Sequence, residues 1–142
     1  MAIVVYCDGL CEPRNPGGAA CFGWAAYRDG EKLAEDCAVV CSGPEATNNV
    51  AEYAAIIAAL EWLRRNRYDQ DKVTVRSDSQ LCIRQLAGRY AVRSERVRPL
   101  YERAKKLAAN FRRVSFEWVP REENREADAL SRRAYENFRK GE

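Results

Sequence analysis

No histidine occurs anywhere in the 142 residues. That removes Ser–His and Cys–His nucleophilic chemistry and imidazole metal ligation. Proton transfer then falls to carboxylates, lysines or metal-assisted chemistry. Long apolar runs are also lacking. The longest covers residues 54–60, far short of the roughly 20 residues that cross a bilayer. The start, Met1-Ala2-Ile3-Val4-Val5, has no basic lead-in and no cleavage-site pattern. A cytoplasmic protein without membrane association is expected. There is no internal repeat and no linker, and the length suits one domain spanning residues 1–142. Apolar residues at 46% and charged residues at 32% exclude a disordered or low-complexity chain.

What is present is unevenly distributed. Residues 1–60 carry three basic and eight acidic side chains, whereas residues 61–142 carry 21 basic and 13 acidic ones. The excess concentrates in residues 84–113, with ten Lys and Arg against Glu95 and Glu102. Such asymmetry fits a basic face for a polyanion beside an acidic centre.

Six cysteines stand at 7, 11, 21, 37, 41 and 82, giving two CxxxC pairs. The reading favoured is small buried apolar residues on strands. A four-thiolate zinc site and disulfides remain open alternatives at this level.

Local patterns predict strands over residues 2–7, 19–28, 32–42, 71–77 and 114–119, with a loop over 9–18 and a hairpin turn at Asp29-Gly30. Helices are predicted from Thr47 or Asn48 to about 66, then over 79–87, 95–110 and 124–138. The order β-β-β-α-β-α-α-β-α implies an α/β fold. Its mixed five-stranded sheet has three antiparallel strands, then parallel ones, flanked by helices.

Four carboxylates resist a purely structural explanation together. Asp8 and Asp78 emerge from neighbouring parallel strands at the edge where α/β sheets bind ligands. Glu52 lies in a helix where, between Val50 and Leu63, only Glu52 and Glu61 are charged. Burying an unpaired carboxylate costs several kcal/mol or a large pKa shift. Asp128 sits in Ala127-Asp128-Ala129-Leu130 on the last helix. Singly, Asp8 could serve a turn, Asp78 a helix cap and Asp128 a solvated face. Jointly they suit hard cations such as Mg²⁺. Two such ions about 3.5–4 Å apart serve phosphodiester cleavage without histidine.

The chain resembles the type 1 ribonuclease H family in a short, histidine-free form like those of archaea and bacteria. The resemblance rests on Asp8-Gly9 with Asn15-Pro16-Gly17-Gly18, on Thr47-Asn48-Asn49-Val50-Ala51-Glu52, on Ser77-Asp78-Ser79-Gln80 and on Asn124-Arg125-Glu126-Ala127-Asp128-Ala129-Leu130. It implies a ribonuclease H-like fold and endonucleolytic cleavage of the RNA strand of RNA–DNA hybrids, leaving 5′-phosphate and 3′-hydroxyl ends. It implies Asp8, Glu52, Asp78 and Asp128 as catalytic metal ligands for two Mg²⁺ ions, with Mn²⁺ as substitute. It implies that Asn15, Asn48 and Gln80 contact the hybrid and that Thr47 helps hold a DNA phosphate. Amides can donate to and accept from 2′-hydroxyls, which separate RNA from DNA.

Two features depart from the family. The loop that often carries a histidine reads Pro120-Arg121-Glu122-Glu123; Arg121 is a candidate phosphate holder there, and Glu122 or Glu123 a proton carrier. Residues 79–113 are short for an extended basic protrusion, for which Arg84, Arg89, Arg93, Arg96, Arg98, Lys105 and Lys106 are candidate substitutes. A monomer is expected, acting on hybrid and conceivably on duplex RNA. The alternatives are another nuclease of the same fold, a catalytically weak binding module for hybrid or duplex RNA, or a nuclease domain cut from a larger polypeptide. The start at Met1 and the short charged tail favour a free-standing protein.

Overall fold

The computed structural model describes residues 2–141. Strand alternation decides where the core lies. In β1 (Ala2–Glu12) Ile3, Val5 and Cys7 are fully buried. Val73 and Val75 of β4 (Lys72–Ser77) are fully buried beside them. Above these residues runs α1 (Asn48–Arg65), capped by the Thr47 hydroxyl, which accepts from Val50 N–H at 3.1 Å. Its Tyr53, Ile56, Leu60 and Leu63 are fully buried. Burial of each large aliphatic side chain contributes about 1.5–3 kcal/mol. The helix is apolar nearly all round because it lies between the sheet and α3 (Arg98–Ala108), which adds Ala104 and Leu107.

The sheet is completed by β2 (Ala19–Arg28), β3 (Glu31–Ser42) and β5 (Arg113–Trp118), in the order β3-β2-β1-β4-β5. β1–β2 and β2–β3 are antiparallel; β1–β4 and β4–β5 are parallel. A short α2 (Gln80–Leu86) follows β4. On the opposite face α4 (Arg125–Lys140) covers β2, β1 and β3, where Leu10, Ala19 and Cys21 meet Ala134. This is the expected α/β architecture. Among the described residues no helix is long and apolar enough to cross a membrane.

Three elements differ most from expectation in their boundaries. β1 does not stop at residue 7 but continues to Glu12, pairing Gly9 with Phe22 and Cys11 with Ala20. Gly9 and the following Pro13 hide this extension in the sequence. Asp8 therefore lies within the strand, one residue past the last pair with β4, Cys7 with Ser77. The third helix begins at Arg98, three residues later than expected, and ends at Ala108, because residues 95–97 form a turn. The last helix extends to Lys140.

Among the described residues no three cysteine sulfurs converge as a metal site would need. All six are free. Cys37 packs on the α4 side of the sheet and Cys41 on the α1 side, so that CxxxC pair cannot share an ion. Burial pushes the Cys82 thiol up to about 12 and the Cys21 thiol up to about 11. They remain protonated apolar filler.

Candidate active site

Four elements deliver the four carboxylates to one cleft of about 320 Å³. Asp8 comes from β1, Glu52 from the first turns of α1, Asp78 from the residue after β4 and Asp128 from the first turn of α4. Two glycines allow the helices to reach the strands. A Cβ on Gly9 would lie 2.5 Å from the Glu52 backbone nitrogen and 2.7 Å from the Ala51 Cβ. A Cβ on Gly23, which pairs with Asp8, would lie 2.5 Å from the Leu130 Cβ. Backbone contact at Gly9 thus puts Glu52 beside Asp8, and contact at Gly23 seats α4 with Asp128.

Asp8, Glu52 and Asp78 present oxygens that all lie within 4.8 Å of one another. Asp128 stands slightly apart. Its carboxyl is near enough to Asp8 to raise the Asp8 pKa, and it is paired with Arg132 at 3.3 Å. Asp8 is 6% exposed and Glu52 8%. Burial, then the Asp78 charge, then the neighbouring Asp128 carboxyl raise the Asp8 carboxyl from 3.8 to about 8, against the pull of the Gly9 N–H. Burial foremost, with the charges of Asp8 and Asp78, pushes Glu52 well above the usual carboxylate range. Ser77, fully buried, donates to Glu52 Oε2 at 3.4 Å and accepts from Ser79 N–H at 3.1 Å. Three converging carboxylates with no ion-pair partner among the described residues suit a hard divalent cation, whose charge would relieve their repulsion.

The other expected contacts divide into two groups. Arg121 lines the carboxylate cleft, and Asn48 lines it and a neighbouring cleft of about 310 Å³. Asn15 and Thr47 line that second cleft with Ser94 and Arg96. Asn15 Oδ1 accepts from the Asn48 N–H at 3.1 Å, which pins the first loop to the start of α1. Gln80 is exposed at the first residue of α2, outside the lining of both clefts. Two residues were missed as site members. Ser77 was detectable, since alternation after Val73 and Val75 points it inward. Asn124 reads in sequence only as a helix cap.

The family model described as "Reverse transcriptase-like" matches residues 7–134. The crystal structure of RNase H1 from the halophilic archaeon Halobacterium salinarum is 36% identical, covers 96% of this chain and 99% of that one, and superposes with a TM-score of 0.85. This chain belongs to the type 1 ribonuclease H family. The ribonuclease H domain of Rv2228c from Mycobacterium tuberculosis has a TM-score of 0.88 at 34% identity, covering 99% and 97% of the two chains. LC11-RNase H1, solved in complex with an RNA/DNA hybrid, has a TM-score of 0.86 at 31% identity, covering 96% and 98%. This ribonuclease H-like chain spans 35% of the whole Bifunctional protein Rv2228c and 63% of the Halobacterium Ribonuclease HI.

Proposed function

We propose that residues 1–142 act as one catalytic domain that hydrolyses the RNA strand of RNA–DNA hybrids endonucleolytically, leaving 5′-phosphate and 3′-hydroxyl ends. The observation that carries this reading is the convergence of Asp8, Glu52 and Asp78 within 4.8 Å, beside Asp128. These four residues would hold two Mg²⁺ ions, or Mn²⁺ in their place. When bound, such ions supply Lewis-acid stabilisation of the phosphodiester and activation of water. The protein's part is to hold four oxygen donors on rigid elements and to collect the substrate beside them. Arg121 faces the same cleft and would bind a phosphate at the position where relatives often carry a histidine. The N-terminus of α1 favours an anion, and the Thr47 hydroxyl hydrogen is left to donate while its oxygen caps the helix. Asn15 and Asn48 would contact the hybrid beside it, and Gln80 from the start of α2. All four carboxylates come from one chain, so a monomer suffices.

Cleavage of one labelled RNA strand, annealed to DNA or to RNA, with and without Mg²⁺, tests the function. Mg²⁺-dependent internal cuts in the RNA of the hybrid are expected. Cleavage of duplex DNA, or hybrid binding without cleavage, would sink the proposal.

The basic segment has its own expected result. Arg89 and Arg93 are exposed and, among the described residues, make no ion pair, whereas Arg96 is tied to Glu45 at 2.9 Å. With Ca²⁺ to prevent turnover, Arg89→Ala with Arg93→Ala should flatten the plot of log affinity against log salt by up to about two units. The loss should be alike for every hybrid sequence, because phosphate contacts do not read bases. An unaltered slope would leave both arginines as a solvated surface.

A further inference from the structure

Asn124 occupies the N-cap of α4, where an Asn side chain ordinarily accepts from the free N–H groups of the helix. Here it makes no capping bond. Its Nδ2 donates instead to the Cys7 carbonyl at 2.8 Å and to Asp78 Oδ1 at 3.4 Å. The Cys7 carbonyl can only accept, so the nitrogen end of the amide must face it. That leaves Oδ1 buried and, among the described residues, without a donor, in a side chain only 1% exposed. An unpaired buried acceptor is destabilising. Serine is equally favoured at a helix start and carries no amide oxygen to leave unpaired, so helix stability alone does not account for asparagine here.

What the residue reaches is the carboxylate cluster. Cys7 immediately precedes Asp8. The Asn124 carbonyl accepts from the Asp128 N–H at 3.1 Å. One residue therefore touches the strand beside Asp8, the side chain of Asp78 and the main chain of Asp128. Asp78 needs such support more than the others, because strand pairing ends one residue before it, at Cys7 with Ser77. Its main-chain carbonyl accepts from Trp118 Nε1 at 3.2 Å. Asn124 is the neutral donor that meets its carboxylate.

We propose that Asn124 is a positioning residue of the metal centre, holding the Asp78 carboxylate turned toward Asp8 and Glu52; this rests on the reading above that these groups bind divalent ions. The test is Mn²⁺ binding to the hybrid-free protein by titration calorimetry, comparing wild type with Asn124→Ser. Serine suits the start of a helix but lacks the amide, and no capping bond of the Asn124 side chain is lost with it. The dissociation constant for Mn²⁺ should rise about tenfold or more, as for other residues that orient metal ligands. Loss of the buried bond to the Cys7 carbonyl should lower the metal-free melting temperature by a few degrees, so Mn²⁺ affinity, measured well below that temperature, is the deciding readout. Activity lost at limiting Mn²⁺ should largely return at saturating Mn²⁺, with KM for hybrid essentially unchanged. A merely structural role would lower the melting temperature and leave Mn²⁺ affinity alone; unchanged affinity overturns the proposal. Should Asn124→Ser fail to fold, ¹⁵N-labelled wild type reads the same bond. The Asn124 side-chain amide protons should exchange several-fold more slowly once Mg²⁺ is added, and unchanged exchange overturns the proposal. A wild-type protein that binds no Mn²⁺ removes the metal-centre reading and this role together. Wild-type binding matched by Asn124→Ser removes the positioning role alone.

Discussion

Asp8→Asn should lower hybrid cleavage at least about a hundredfold, equivalent to about 2.7 kcal/mol of barrier, while leaving the metal-free protein more stable at pH 9. The amide keeps the shape of the carboxyl group but cannot supply its charge to an ion. The stability effect follows from the raised pKa of Asp8, about 8 in the folded chain against 3.8 ordinarily. A carboxyl group whose folded pKa is raised costs the native state nothing below about pH 4, where it is protonated in both states. It withdraws stability progressively as pH climbs through 8, because the unfolded chain ionises first. Asparagine does not titrate. The melting temperatures of wild type and variant should therefore diverge between about pH 4 and pH 8 and stay apart above. The gap should reach at least about 3 °C, roughly what one kcal/mol produces in a chain of this size. Mg²⁺ should narrow it by stabilising wild type alone. Melting scans across pH and initial cleavage rates check both parts. A variant that retains a tenth of wild-type turnover, or melts below wild type at pH 9 without metal, contradicts this account.

Gly9→Ala should damage the enzyme almost as severely, through packing instead of charge. The added methyl would sit 2.5 Å from the Glu52 nitrogen and 2.7 Å from the Ala51 Cβ. Neither is the end of a flexible side chain, so α1 must lift or β1 must bend. Overpacking of this kind typically costs about 1–3 kcal/mol. The displaced residue is Glu52 itself, and misplacing a catalytic group by about 1 Å can cost about a hundredfold in rate. Turnover should fall by more than the melting temperature alone explains when both are measured well below the melting point. Gly30→Ala is the control. It lies at the hairpin turn with φ of +88° and no atom within 4 Å of its new Cβ, so it should lose stability from backbone strain while keeping its rate. If Gly9→Ala matches wild type in both measurements, helix and strand do not touch as closely as described.

The parts of this site that were legible in the sequence are those with local causes. Glu52 stood out because it is an acid within a wholly apolar helical stretch. Asp8 and Asp78 stood out because parallel strands must release them at one edge. The extension of β1 was obscured because Gly9 and Pro13 carry turn chemistry, although Leu10 and Cys11 are buried on opposite faces of the strand. The separation of Asp128 from the other three could not be read, since it depends on how α4 seats over Gly23 and on the Arg132 ion pair. Asn124 opens one of the motifs, but its contact with Asp78 has no local signal, because its partners lie 117 and 46 residues away in the chain. The fold order was legible throughout, because Asp29-Gly30, Ser42-Gly43-Pro44 and the 3.6-residue and two-residue periods all agree.

The placement of α4 has a consequence for the order in which function is acquired. This helix comes after all five strands in the chain and packs across β1, β2 and β3, and it brings Asp128 with the Asn124 amide. A chain whose sheet has closed around α1 already holds Asp8 and Glu52 against each other, yet it lacks the fourth carboxylate and leaves Asp78 without its amide partner. Closure of the sheet around α1 would therefore not by itself complete the site. Where the sheet closes first in refolding, hybrid cleavage should lag behind burial of Trp24 and should track the docking of the last helix. Catalysis would report the native state alone, and half-folded chains would leave RNA intact.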